Sequence, residues 1–167
     1  PARTRDLSAT YYKARLGLDA VFVTGAGLLM ALAWPLISIL YAEEYHLAGW
    51  VLQVLSLQLA MAAMIAPPEA LLSSIGLVKY GFFRSVSRAI WTALALPMGW
   101  WLGGFSGVVW AVALVEVPPM FVLGWAMVRH GFFVLSSEIR SVAFFVSGAL
   151  LGFAFRCLFE EVFPSLY

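Results

Sequence analysis

Residues 13–41 read KARLGLDAVFVTGAGLLMALAWPLISILY, and this stretch decides the fold. Two cations, Lys13 and Arg15, precede an apolar run over 16–41 whose single charge, Asp19, lies near its start. A helix needs about 20 apolar residues to cross roughly 30 Å of hydrocarbon, so the run predicts a transmembrane helix. Trp34 and Tyr41 near its far end suit the aromatic belt of a membrane interface. Asp19 follows Arg15 by four residues, a spacing that allows a local ion pair on one helical face.

The rest of the chain repeats this pattern. Further apolar stretches cover 48–78, 82–103, 105–128 and 141–159, which predicts about five spans and an all-α, polytopic transmembrane helix bundle in one domain. Nine of the ten Lys and Arg residues fall in three segments: Arg3, Arg5, Lys13 and Arg15; Lys79, Arg84 and Arg88; Arg129 and Arg140. The intervening loops hold none, neither the one with Glu43, Glu44 and His46 nor the turn Gly103–Gly104. Short loops rich in Lys and Arg stay cytoplasmic, so the N-terminal end is expected inside, at the cytoplasmic membrane.

Composition agrees. Hydrophobic residues make up 63% of the chain and charged residues 11%, against roughly 45–50% and 25% in soluble domains. No basic stripe suggests nucleic acid, and membrane lipids are the expected surroundings. The single Cys157 excludes an internal disulfide or a cysteine metal site. The chain opens on Pro1 without a signal-peptide core and reads as a portion of a longer protein.

Four charged residues within the spans demand a reason. Glu116 lies 12 residues past Gly104, hence about 18 Å into the bilayer at 1.5 Å per residue. A carboxylate at that depth faces a bundle interior or a watery cavity. Pro118 and Pro119 just beyond it are expected to interrupt the span and free the carbonyls of Leu114 and Val115. Glu69 follows Pro67 and Pro68, which are expected to kink a second span that is too long for the bilayer. Two spans thus combine a Pro-Pro break with an acid, a pattern that lines transporter cavities. Arg84 and Arg88, four apart, share a helical face with Trp91 and could grip a phosphate or simply anchor the inner end. Glu116 or Glu69 could bind H+ or Na+ for coupling, or only pack the bundle. Gly148 and Gly152 make a small-xxx-small pair suited to close helix contact. His46 and His130 fall on opposite sides, and no phosphate loop or metal motif occurs. No catalytic residue, metal site or cofactor is therefore expected.

The stretch Trp34-Pro35-Leu36-Ile37-Ser38-Ile39-Leu40-Tyr41, followed by Glu44-Tyr45, Ala48-Gly49 and Val51-Leu52-Gln53-Val54-Leu55, resembles polysaccharide biosynthesis proteins. These are oligosaccharide flippases of the multidrug/oligosaccharidyl-lipid/polysaccharide exporter superfamily. Ile75-Gly76-Leu77-Val78-Lys79-Tyr80 and Gly103-Gly104-Phe105-Ser106-Gly107-Val108-Val109-Trp110-Ala111 resemble the same family, and Ala42 departs from its usual Gly. The resemblance implies a portion of the C-terminal lobe of a two-lobed transporter, with the N-terminal lobe as partner. It implies alternating access for an oligosaccharide carried on a polyprenyl diphosphate, with Arg84 and Arg88 meeting the diphosphate and Glu69 and Glu116 serving coupling or gating. A cation-coupled multidrug exporter of the same superfamily is the alternative within transport. A membrane-embedded glycosyl or acyl transferase of envelope synthesis, or a structural subunit, is the alternative outside it.

Overall fold

The computed structural model describes residues 2–41 and 45–162, and every regular element among them is helical. Residues 42–44, with Glu43 and Glu44 of the expected charged loop, lie outside the described residues. Helix α1 spans Ala2–Leu18, a short π-helix Asp19–Val23, and α2 Thr24–Leu40. They are followed by α3 (His46–Ser74), α4 (Lys79–Ala113), α5 (Val117–Arg129) and α6 (Leu135–Val162). Among the described residues four stretches are long and apolar enough to cross a membrane: Thr10–Leu40, Leu47–Ser74, Lys79–Arg129 and Leu135–Leu158. That is the pattern of a multi-pass membrane protein.

The third stretch, 51 residues long, is not one rod. Gly104 has φ 57° and ψ −135°, a conformation that interrupts the helix and that a Cβ would oppose. The chain reverses there. A Cβ on Gly99 would come within 2.6 Å of the Gly107 carbonyl oxygen, so the arms before and after the turn pack backbone to backbone. The expected turn at Gly103–Gly104 is thus present. The second stretch ends at Ser74 rather than 78, because Leu77 N–H reaches back to the Leu72 carbonyl at 2.9 Å and closes the helix around Gly76. Pro67 and Pro68 lie inside α3 without ending it. Between α1 and α2 the Thr24 N–H bonds the Asp19 carbonyl, five residues back, which defines the π turn at the only acid of the first span.

Helix α2 packs chiefly on α3 and α6. Side chains at Gly27 or Gly148 would overlap the facing backbone of Phe145 or Thr24, and one at Gly152 would come within 2.7 Å of the Ala31 methyl. The expected Gly148–Gly152 pair therefore sits in the tightest interface, where small residues let backbones approach.

Polarity is inverted relative to a soluble protein. Arg15, Asp19 and Glu116 are among the most buried residues, while Trp101 is 83% exposed and Phe121 75%. A surface of that kind is stable against lipid, not water. The three basic segments converge on one end of the bundle: the Tyr80 hydroxyl meets His130 Nε2 at 3.2 Å, Tyr12 donates to the Phe132 carbonyl, and Arg15 binds Glu138. Beside them a core of Ile65, Leu72, Tyr80, Leu123 and Met127 ties α3, α4 and α5 together.

Candidate functional site

Above that core, three helices bring the four charged residues to one place. Glu69 comes from α3, Arg84 and Arg88 from successive turns of α4, and Glu116 from the residue before α5. The Arg84 guanidinium donates to Glu69 Oε2 and lies 3.6 Å from Glu116 Oε2; Arg88 Nη1 lies 3.1 Å from Glu116 Oε1. Glu116 is thus held between two cations and is 2% exposed. Its burial is offset by opposite charges, as an intramembrane carboxylate requires. The four formal charges sum to zero.

The pairing is not closed on every side. Glu116 Oε2 and Arg84 Nε are buried and have no hydrogen-bond partner among the described residues. The Arg88 side chain is 47% exposed although it stands nine residues into α4 from Lys79, about 13 Å along the axis. One face of the cluster is therefore open at Arg88.

Glu116 reaches this position because the chain breaks just before it. Val115 N–H bonds the Val112 carbonyl at 3.1 Å, in place of Ala111 one turn back, and the Trp91 indole N–H takes up the Ala111 carbonyl at 3.0 Å. Trp91 lies three residues after Arg88, so the face that carries the arginines also stitches the break. The span is interrupted beside Pro118 and Pro119 as expected, although the prolines stand after the break rather than in it. They occupy the first turn of α5, where missing N–H groups would have had no helical partner. The Leu114 carbonyl is accordingly not free, since Val117 N–H bonds it at 3.0 Å. The break lies at 114–116, and the prolines start the helix that follows it.

A second ionic cluster joins the first helix to α6. Arg15 Nε stands 3.4 Å from Asp19, the local pair expected from their spacing. Its two terminal nitrogens also grip Glu138 of α6 at 2.6 and 2.8 Å, and the Ser141 hydroxyl donates to Asp19. Arg15 is 1% exposed, so it is an internal tie between the first and last helices rather than a surface anchor. Glu138 carries no sequence signal beyond its place in the first turn of α6 with Ser137 and Ser141 on one face.

All four predicted charged residues are thus brought together, and both arginines already hold carboxylates. Pro67 and Pro68 line two separate apolar grooves. No family model, curated protein or solved structure matches this chain.

Proposed function

We propose that this chain belongs to the C-terminal lobe of a two-lobed flippase, which moves an oligosaccharide on a polyprenyl diphosphate across the cytoplasmic membrane by alternating access. The observation that carries this reading is the open side of the charge cluster. A half-exposed arginine about 13 Å into a span belongs against water or a second lobe, not lipid. In this reading the basic end of the bundle is cytoplasmic, and the arms on either side of Gly104 count as separate crossings, which makes five.

The resting cluster is neutral, so a diphosphate cannot simply add to it. It must displace Glu69 and Glu116 from the guanidiniums, since arginine pairs with phosphate in the same forked geometry as with carboxylate. The released acids would then be unpaired at depth and would take up H+ or Na+. Release of the lipid outside would let the carboxylates close again. Substrate and coupling ion would thereby exclude one another through two side chains.

The test is translocation of lipid-linked oligosaccharide by the intact protein with Arg84→Gln and Arg88→Gln together. A fall of at least about a hundredfold, the equivalent of one lost charge-assisted contact at each arginine, is expected. Unchanged translocation would remove the loading role. The buried, unbonded Oε2 of Glu116 favours a second reading, a cation-coupled drug exporter. Loss of cation-driven drug efflux in Glu116→Gln, with lipid translocation intact, would favour that exporter.

A further inference from the structure

Along α5 lies an apolar groove of about 820 Å3, lined by residues of α5, α6 and α3. This volume falls within the roughly 300–1,000 Å3 of ligand pockets. Four of the chain's six methionines, Met61, Met64, Met120 and Met127, line it, together with Phe121 and Trp125. Its one charged residue, Glu138, is already held by Arg15.

The lining argues against another helix as occupant. Where helices of this chain meet closely they do so through glycines, at Gly27, Gly148 and Gly152 and at Gly99 and Gly107. Here the walls are long, flexible thioethers and aromatic rings, which adapt to a chain of no fixed shape. The length points to one leaflet: the groove follows α5 from Val117 to Val128, about 16 Å, against about 15 Å for half the hydrocarbon core. At its basic end the Arg129 guanidinium stacks over Trp125 at 5.1 Å, is exposed, and makes no ion pair among the described residues. We propose that this groove binds a single anionic phospholipid of the leaflet at the basic end, its acyl chain along the methionines and its phosphate at Arg129.

Gly124 offers a direct test. It lines the groove, and a Cβ there meets nothing within 4 Å, so Gly124→Leu fills the space without disturbing a neighbour. The intact protein is released for native mass spectrometry from nanodiscs of equimolar phosphatidylglycerol and phosphatidylcholine. Wild type should retain one phosphatidylglycerol about five-fold over phosphatidylcholine, the preference expected from one basic residue at a membrane surface. Gly124→Leu should lose the retained lipid, and Arg129→Gln should keep a lipid but lose the preference. Gly25→Leu, which fills the smaller groove between the first span and α3, should change neither. If Gly124→Leu protein does not accumulate, Met64→Trp fills the groove from α3 instead. Equal retention by wild type and the filled variants overturns the proposal. So does a shift from dimer to monomer on filling, which would assign the groove to a second copy. None of these outcomes depends on whether the protein moves oligosaccharides.

Discussion

The two ionic clusters of this bundle use the same kinds of side chain and are closed to different degrees. Around Arg15 one guanidinium faces two carboxylates, with a forked pair at 2.6 and 2.8 Å to Glu138 and the arginine fully enclosed, although Arg15 Nε and Asp19 Oδ1, like Arg84 Nε and Glu116 Oε2, have no hydrogen-bond partner among the described residues. Around Glu116 two guanidiniums face two carboxylates; Arg84 keeps a short contact to Glu69, the contacts to Glu116 lengthen to 3.1 and 3.6 Å, and Arg88 is half exposed. An arginine with no exposed surface, gripped in a fork, holds its helices in one arrangement, whereas a half-exposed arginine can exchange partners. The contrast separates a fastening from a site, although the sequence presents both merely as charges within apolar runs.

The sharpest way to break the comparison is to remove one cation from each cluster. Arg15→Met leaves Asp19 buried and Glu138 without its partner, and loss of one member of a buried pair is expected to destabilise by about 3–5 kcal/mol. Arg88→Gln removes a half-exposed partner of a buried carboxylate that keeps Arg84 3.6 Å away, and is expected to destabilise less, by about 1–3 kcal/mol. Unfolding midpoints of the purified intact protein in detergent measure both. Equal shifts would mean that the two clusters do the same work. Adding Asp19→Asn and Glu138→Gln to Arg15→Met, which removes the charges together, should recover most of the loss caused by Arg15→Met alone.

The next effect concerns the packing that brings α6 to Arg15. A Cβ at Gly148 would overlap the Thr24 backbone, so Gly148→Leu must force α2 and α6 apart and is expected to destabilise by about 1–3 kcal/mol. Gly25→Leu, on the same helix as Thr24 but facing open space, should be near neutral in the same unfolding measurement. Should Gly148→Leu also be neutral, the α2–α6 seam does not position the fastening.

Much of this architecture is legible because it is local or periodic. The apolar runs, the reversal at Gly104, the Arg15–Asp19 pair and the Gly148–Gly152 seam each follow from residues within a few turns of one another. The basic segments could be grouped at one end from alternation alone. What could not be read is pairing across the fold. Arg15 meets Glu138 over 123 residues, and Glu69, Arg84 and Glu116 come from three helices. Each of these groups announced that it needed a partner, yet a linear pattern does not say which. Pro118 and Pro119 show a second limit. A proline pair that interrupts a helix and one that opens the next helix are identical in sequence, and only the hydrogen bonds of Val115 and Val117 distinguish them.

The smallest expected effect bears on how Glu116 is aimed. Trp91 donates its indole N–H to the Ala111 carbonyl at 3.0 Å, and that carbonyl is available because Val115 has turned to Val112. Trp91→Phe keeps a ring in place and removes only the donor. The stability change should be about 0.6–1.5 kcal/mol, the range for one such bond in a membrane or a protein interior. The consequence for the site should exceed that figure in kind. Without the stitch, the helical alternative, Val115 N–H to Ala111, becomes available and would rotate Glu116 away from Arg84 and Arg88. Chemical modification by a membrane-permeant arginine reagent reports the change: Arg88 should react faster in Trp91→Phe than in wild type. A similar increase in reactivity at Arg15 would show general loosening instead, and would mean that the break at 114–116 is held by something other than Trp91.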